Sequence, residues 1–171
     1  VINVGTSLTE PTLRKALAIG ADKAIRIDCE PSDGFLVAKE ISHYVSSNPY
    51  DLIIAGRESI DYNGAMVPGF ISGLLNINYI TNCVGLEIKE NTATVEREID
   101  GGKEILECEL PLIIGGQKGL VEESDLRIPN MRGIMQARQK PLDIITPSSN
   151  ESKTNSVKYY KPEPRQEVKL V

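Results

Sequence analysis

The chain has 171 residues, 40% of them hydrophobic and 25% charged, enough for one compact domain that needs no disulfide or metal to hold its core. A formal charge of −5, no Trp and only two Phe argue against a nucleic-acid surface. Apolar runs such as Leu52-Ile53-Ile54-Ala55 are far too short to cross a bilayer. Cys29, Cys83 and Cys108 form no C-x-x-C pair and read as reduced thiols. Val1 opens without an initiator Met, inside what reads as a strand, so the chain is expected to be part of a longer protein.

After the opening strand, Thr9 is placed to cap a helix. Pro11 suits its first turn, Leu13, Ala16 and Leu17 share its apolar face, and Gly20 ends it. A short strand follows over Ala24 to Asp28. Asp33 then caps a helix in which Phe35, Ala38, Ile41 and Val45 recur at helical spacing. Tyr50 to Ala55 is a continuous apolar strand, the pattern of a parallel sheet covered on both faces. A Gly-rich loop from Gly56 to Gly64 leads to a helix carrying Val67, Phe70, Ile71, Leu74 and Leu75. Alternating strands and helices predict a doubly wound α/β fold with a mainly parallel sheet.

The period then changes to two. Thr92 to Ile99 and Lys103 to Leu110 form an antiparallel hairpin joined at Asp100-Gly101-Gly102, where the turn needs positive φ. Leu112 to Gly115 is a second buried strand. Asn130 is placed to cap a short helix bearing Met131, Ile134 and Met135, and Leu142 to Ile145 is a last strand. Residues 1–145 are therefore expected as one domain. Residues 146–171, Pro/Ser-rich and poor in large apolar side chains, are expected as an extended C-terminal arm.

Few residues offer covalent or acid–base chemistry. The single histidine, His43, falls on the helix face opposite Ile41 and Val45 and reads as solvated. No Cys/His cluster predicts a metal, and Gly101-Gly102-Lys103 is not a P-loop, because Arg97 stands where the first Gly belongs. Two segments fall where open α/β sheets bind ligands, beyond the carboxyl ends of strands. They are Val4-Gly5 and the stretch from Gly56 through Asp61, Asn63, Gly64, Ala65, Met66 and Val67. Asp61 is suited to a sugar hydroxyl. Asn63 and Gly64 allow positive φ and close backbone approach, and the start of the next helix offers free N–H groups to a phosphate. An ordinary strand-to-helix connection explains the same residues equally well. Between Leu126 and Lys140, Arg127, Arg132, Arg138 and Lys140 stand without a carboxylate. They form either a solvated face or a docking surface for an acidic partner or an anionic cofactor.

The stretch Thr12-Leu13-Arg14-Lys15-Ala16-Leu17-Ala18-Ile19-Gly20-Ala21-Asp22-Lys23-Ala24 resembles the T-L-R-x-A-L-A-x-G-A-D-x-A segment of electron transfer flavoprotein β subunits. The hairpin Val95–Pro111 is similar to that family's most recognisable segment, and Gly56 to Asp61 and Ile134 to Lys140 match in type and order. The resemblance implies an adenine-nucleotide-binding type of fold and an electron carrier rather than a substrate-converting enzyme. It implies a heterodimer with an α subunit that holds most of the FAD, and, in many members, a structural AMP. Dehydrogenase donors and a quinone-linked or other acceptor are the implied partners, in a bacterial cytoplasm or a mitochondrial matrix. Carried onto this chain, it places nucleotide contacts at Val4, Gly5, Gly56, Asp61, Asn63, Gly64, Ala65, Met66 and Val67, and partner docking at Arg127, Met131, Arg132, Ile134, Met135 and Arg138. AMP stays open: the family's loop has a Gln after the Asp, where this chain has Tyr62-Asn63-Gly64. Met131 takes the place of the family's Leu, and Gln136 and Gln139 replace two lysines. The alternative is a stand-alone adenine-nucleotide module of universal-stress type, to which Gly115-Gly116-Gln117-Lys118-Gly119 corresponds loosely.

Overall fold

A computed structural model of the chain describes residues 1–60 and 63–163. The elements run β1 (Ile2–Val4), α1 (Glu10–Ile19), β2 (Ala24–Ile27), α2 (Gly34–Ser47), β3 (Leu52–Gly56), α3 (Val67–Leu75), β4 (Asn78–Lys89), β5 (Thr92–Ile99), β6 (Gly102–Glu109), β7 (Leu112–Gly116), α4 (Met131–Ala137) and β8 (Leu142–Ile145). The expected alternation, hairpin, buried second strand and closing strand are all present, giving the doubly wound α/β class.

The hydrogen-bonded strands divide into two sheets. Three parallel strands lie in the order β1-β2-β8, and a mixed five-stranded sheet has the order β3-β7-β4-β5-β6. Helix α2 joins them. Its Leu36, Val37, Ile41 and Tyr44 pack on Val4 and Ile27 of the first sheet, while Ala38, with Ile41 again, packs with Ile71 of α3 and Ile113 of β7. Helices α1 and α4 cover the opposite face of the first sheet through Leu13, Leu17, Ala24 and Ala137. The other face of the second sheet closes on Ile80, Cys83, Val95, Leu112 and Ile114.

Two expectations are corrected here. Strand β3 is not covered on both faces: it forms one edge of its sheet, and Ile54 is 61% exposed. The strand that is buried throughout Leu112–Gly115 is β7, which lies between β3 and β4. Thr9 stands at the start of α1, but its hydroxyl bonds back to the Thr6 carbonyl (2.9 Å) and caps no N–H. The other caps are as expected. Asp33 Oδ1 accepts from Leu36 N (2.7 Å), Asn130 Oδ1 accepts from Gly133 N (2.8 Å), and Gly20 ends α1 at φ +134°. Strand β4 had no counterpart in the reading of the sequence. It pairs parallel with β7 over Asn78–Cys83 and antiparallel with β5 over Cys83–Lys89, so it joins the parallel sheet to the hairpin. Its register shifts around Asn82, whose φ is +54°.

Candidate functional site

Helix α2 follows β2 and precedes β3, so the carboxyl ends of the parallel strands meet at its N-terminal end. On one side of that end lies Val4, packed against Leu36 in the first turn of α2. On the other lies Met66: a Cβ built on Gly34 would come within 2.8 Å of Met66 Cγ. The structure thus brings the two predicted segments to the same end of one helix.

They differ in what they offer a ligand. Val4 is buried at 5% exposure in the core. Gly5 donates its N–H to the Ile27 carbonyl (3.0 Å), and its own carbonyl accepts from Arg26 Nη1 (2.9 Å). A Cβ at Gly5 would stand 2.7 Å from Thr9 Cγ2 and 2.8 Å from Asn3 Oδ1. This glycine is required by close packing, and both its backbone groups are already used. Among the described residues, the buried Asn3 Oδ1 has no hydrogen-bond partner.

The second segment is open. Gly56 ends β3, beside Gly116 of β7, and the next residue, Arg57, donates its N–H to the Gly116 carbonyl (3.1 Å). Asp61 lies outside the described residues. Asn63, Gly64, Ala65 and Met66 are exposed, and Val67 is half-buried, packed toward Ala38, Ile71 and Ile113. Asn63 has the expected positive φ, +46°, but Gly64 does not; the second left-handed residue is Ala65 at +50°. A Cβ on Gly64 would touch Met66 Cε at 3.5 Å, an ordinary contact, so folding alone does not demand glycine there. Among the described residues, no side chain caps α3. Backbone N–H groups beside left-handed residues, just ahead of a helix start, are the kind of donors that suit a phosphate. No carboxylate occurs from Asn63 to Leu75 to oppose one. The residues present fit the phosphate end of an adenine nucleotide.

The sequence did not single out Arg26, Glu10 or Asp28. Arg26 is 4% exposed, with Nε 3.2 Å from Glu10 Oε1 and Nη1 2.5 Å from Asp28 Oδ1. Both carboxylates hold it firmly charged, the Asp28 hydrogen bond foremost, and it fixes the Gly5 carbonyl at the strand edge. The signal available was a lone cation inside the apolar strand Ala24–Ile27. Cys29 ends the same segment; burial, followed by the charges of Glu40, Glu30 and Asp28, raises its thiol pKa and disfavours the thiolate.

The basic segment forms a second exposed surface. Arg127, Arg132 and Arg138 are exposed, as are Met131 at 74%, Met135 at 65% and Ile134 at 41%. Leu126 and Ile128 are uncovered as well, which the sequence reading did not anticipate. Arg127, Arg132 and Lys140 line a cavity of about 380 Å³ against Leu17–Gly20. Lys140 does other work: its Nζ donates to the Leu17 (3.0 Å) and Ala21 (2.7 Å) carbonyls and caps the C-terminus of α1. Gly115, part of the alternative phosphate motif, is explained by packing, since a Cβ there would lie 2.8 Å from the Tyr79 hydroxyl.

Residues 1–150 match the model of the electron transfer flavoprotein domain. The chain is 35% identical over 148 residues to the electron transfer flavoprotein subunit beta of Bacillus subtilis, covering 84% of this chain and 56% of that protein. It is 29% identical over 163 residues to the subunit of the same name from Syntrophomonas wolfei, covering 95% and 64%. To the mitochondrial subunit beta of Oryza sativa subsp. indica it is 35% identical over 149 residues, covering 84% and 58%. The chain spans about three fifths of the length of these relatives. With a match to the family model over residues 1–150 and these identities across most of its length, the chain belongs to the electron transfer flavoprotein family, beside its β subunits.

Proposed function

We propose that this chain serves as the β-type subunit of a heterodimeric electron carrier, paired with an α subunit that holds most of an FAD. The flavin, when bound, accepts and gives up electrons; the protein's share is to position it, set its electrostatic surroundings and exclude competing reactions. The observation that carries the reading is the open loop Asn63–Met66 ahead of α3, at the carboxyl edge of a doubly wound sheet. In this reading, backbone N–H groups around Gly64 to Met66 hold the phosphate of an AMP. The exposed set Arg127, Met131, Arg132, Ile134, Met135 and Arg138 docks dehydrogenase donors or an acceptor, apolar side chains making the contact and arginines steering the encounter. The relatives' origins support a bacterial cytoplasm or a mitochondrial matrix as the compartment.

The test is co-expression of the full-length protein with a candidate α subunit. A yellow heterodimer whose flavin absorbance bleaches on addition of a dehydrogenase and its substrate is the expected result. A colourless homodimer that binds ATP would replace this reading with the stand-alone nucleotide module.

A further inference from the structure

Beyond β8, residues 146–163 carry no helix or strand, yet nine of them lie along α2 in a defined path. Glu40, in the middle of α2, is 2% exposed. A carboxylate so buried is costly unless hydrogen-bonded. Among the described residues, every hydrogen bond it accepts comes from this segment: Ser148 N to Oε2 (2.7 Å), Ser148 Oγ to Oε1 (2.8 Å) and Ser149 N to Oε1 (2.9 Å). Asp33, at the start of the same helix, divides its two oxygens. Oδ1 caps α2, while Oδ2 accepts from Lys153 N (2.5 Å), Thr154 N (2.8 Å) and Thr154 Oγ1 (3.3 Å). Between these points Lys39 Nζ reaches Ser149 Oγ (3.1 Å), and the Lys153 ammonium lies 5.4 Å from the centre of the Phe35 ring.

We infer that residues 146–154 form a strap latched to α2 by Glu40 and Asp33. The latch exchanges water for N–H and O–H donors, so opening it solvates both carboxylates instead of stranding them, and the strap can leave without unfolding the core. Past Thr154 the surroundings change. Val157 is 96% exposed, and Tyr159 and Tyr160 are 76% and 77% exposed. The latch therefore holds residues 146–154 against α2, from its middle at Glu40 to its N-terminal end at Asp33. The inference does not depend on the identity of any partner.

Two near-isosteric variants separate the latch from the fold. Asp33→Asn keeps one oxygen for the α2 cap, where Asn serves as well as Asp, and loses the second acceptor that holds Lys153 and Thr154. Glu40→Gln leaves the cap untouched and removes an acceptor from Ser148 and Ser149. Amide hydrogen exchange is followed on the free full-length protein, peptide by peptide. In the wild type, the amides of Ser148, Ser149, Lys153 and Thr154 should exchange at least about tenfold more slowly than those of 155–163, as opening of charge-assisted hydrogen bonds requires. Asp33→Asn should release Lys153 and Thr154 while Leu36 stays protected, and Glu40→Gln, which leaves one oxygen for the three donors of Ser148 and Ser149, should speed exchange at those two residues. Wild-type exchange that is equally fast from 146 to 163 overturns the inference. So does protection of the strap that survives both substitutions.

Discussion

Gly101 is the second central residue of the two-residue connection between Ile99 and its partner Gly102, and its φ is +88°. An ideal Cβ there meets no atom within 4 Å, so Gly101→Val carries no steric clash. What remains is the backbone. An L-residue held in the left-handed region costs about 1–2 kcal/mol, offset by about 0.4–1 kcal/mol from the smaller entropy of the unfolded chain. The net expectation is a loss of about 1 kcal/mol, a fall in Tm of about 2–4 °C for a domain of this size. Gly102 supplies the control. Its Cβ also meets nothing, but its φ is not positive, so Gly102→Val should stay within about 0.5 kcal/mol of wild type. Calorimetry or urea melts of wild type and both variants measure the difference. Equal shifts in the two variants would place the effect in the added side chain and refute the backbone argument, and an unchanged Gly101→Val would refute the strained turn itself.

Gly64→Val should leave the melting temperature close to wild type, because its Cβ makes only an ordinary contact with Met66, yet remove AMP from the purified full-length heterodimer; stoichiometric AMP in the variant after denaturation would place the nucleotide elsewhere. Arg132→Glu should slow association with an acidic partner and flatten its salt dependence without altering the flavin spectrum, whereas stopped-flow traces identical to wild type across a salt series would leave Arg132 a solvated residue. Desolvation raises the Asp33 carboxyl pKa, but the donors Leu36 N, Thr154 N and Lys153 N outweigh it, so the folded value is depressed. Its stabilisation is therefore complete above the unfolded value of about 3.9 and is lost as pH falls below that. The stability gap between wild type and Asp33→Asn should be constant from pH 8 to about 5 and close below about pH 4; a gap that closes near neutrality would contradict the assignment.

Where local chemistry and tertiary demand agreed, the fold was legible. Asp33 and Asn130 cap helices because their oxygens reach N–H groups three residues on, a fact of local geometry that needs no tertiary partner. Gly101 was recognised as the hairpin's left-handed residue, although only one of the two central residues has positive φ, not both as in a type I′ turn. Strand β4 escaped for the opposite reason. Its apolar positions Ile80, Cys83 and Leu86 do not alternate, because a register shift at Asn82 and another before Gly85 move the side chains from one face to the other. Strand β3 and strand β7 have almost the same apolar composition, and only the sheet order makes one an edge and the other a centre.

The two candidate segments were legible in their place in the fold and less so in detail, and the difference has a physical cause. That ligands face the carboxyl ends of parallel strands follows from topology, so Val4-Gly5 and the loop after Gly56 could be located from element order alone. Which residues there remain free follows from packing that no local pattern encodes. Gly5 appears permissive in one dimension, but Thr9, Asn3, Ile27 and Arg26 surround it in three. The left-handed conformation expected at Gly64 falls on Ala65, where a Cβ makes it costly. Glycine one position earlier is not under that strain. A chain shaped by folding stability alone would favour the cheaper arrangement, with glycine carrying the positive φ. Left-handed strain at Ala65, one residue from the start of α3, is the kind of local cost that clusters where backbone direction matters more than ease of folding.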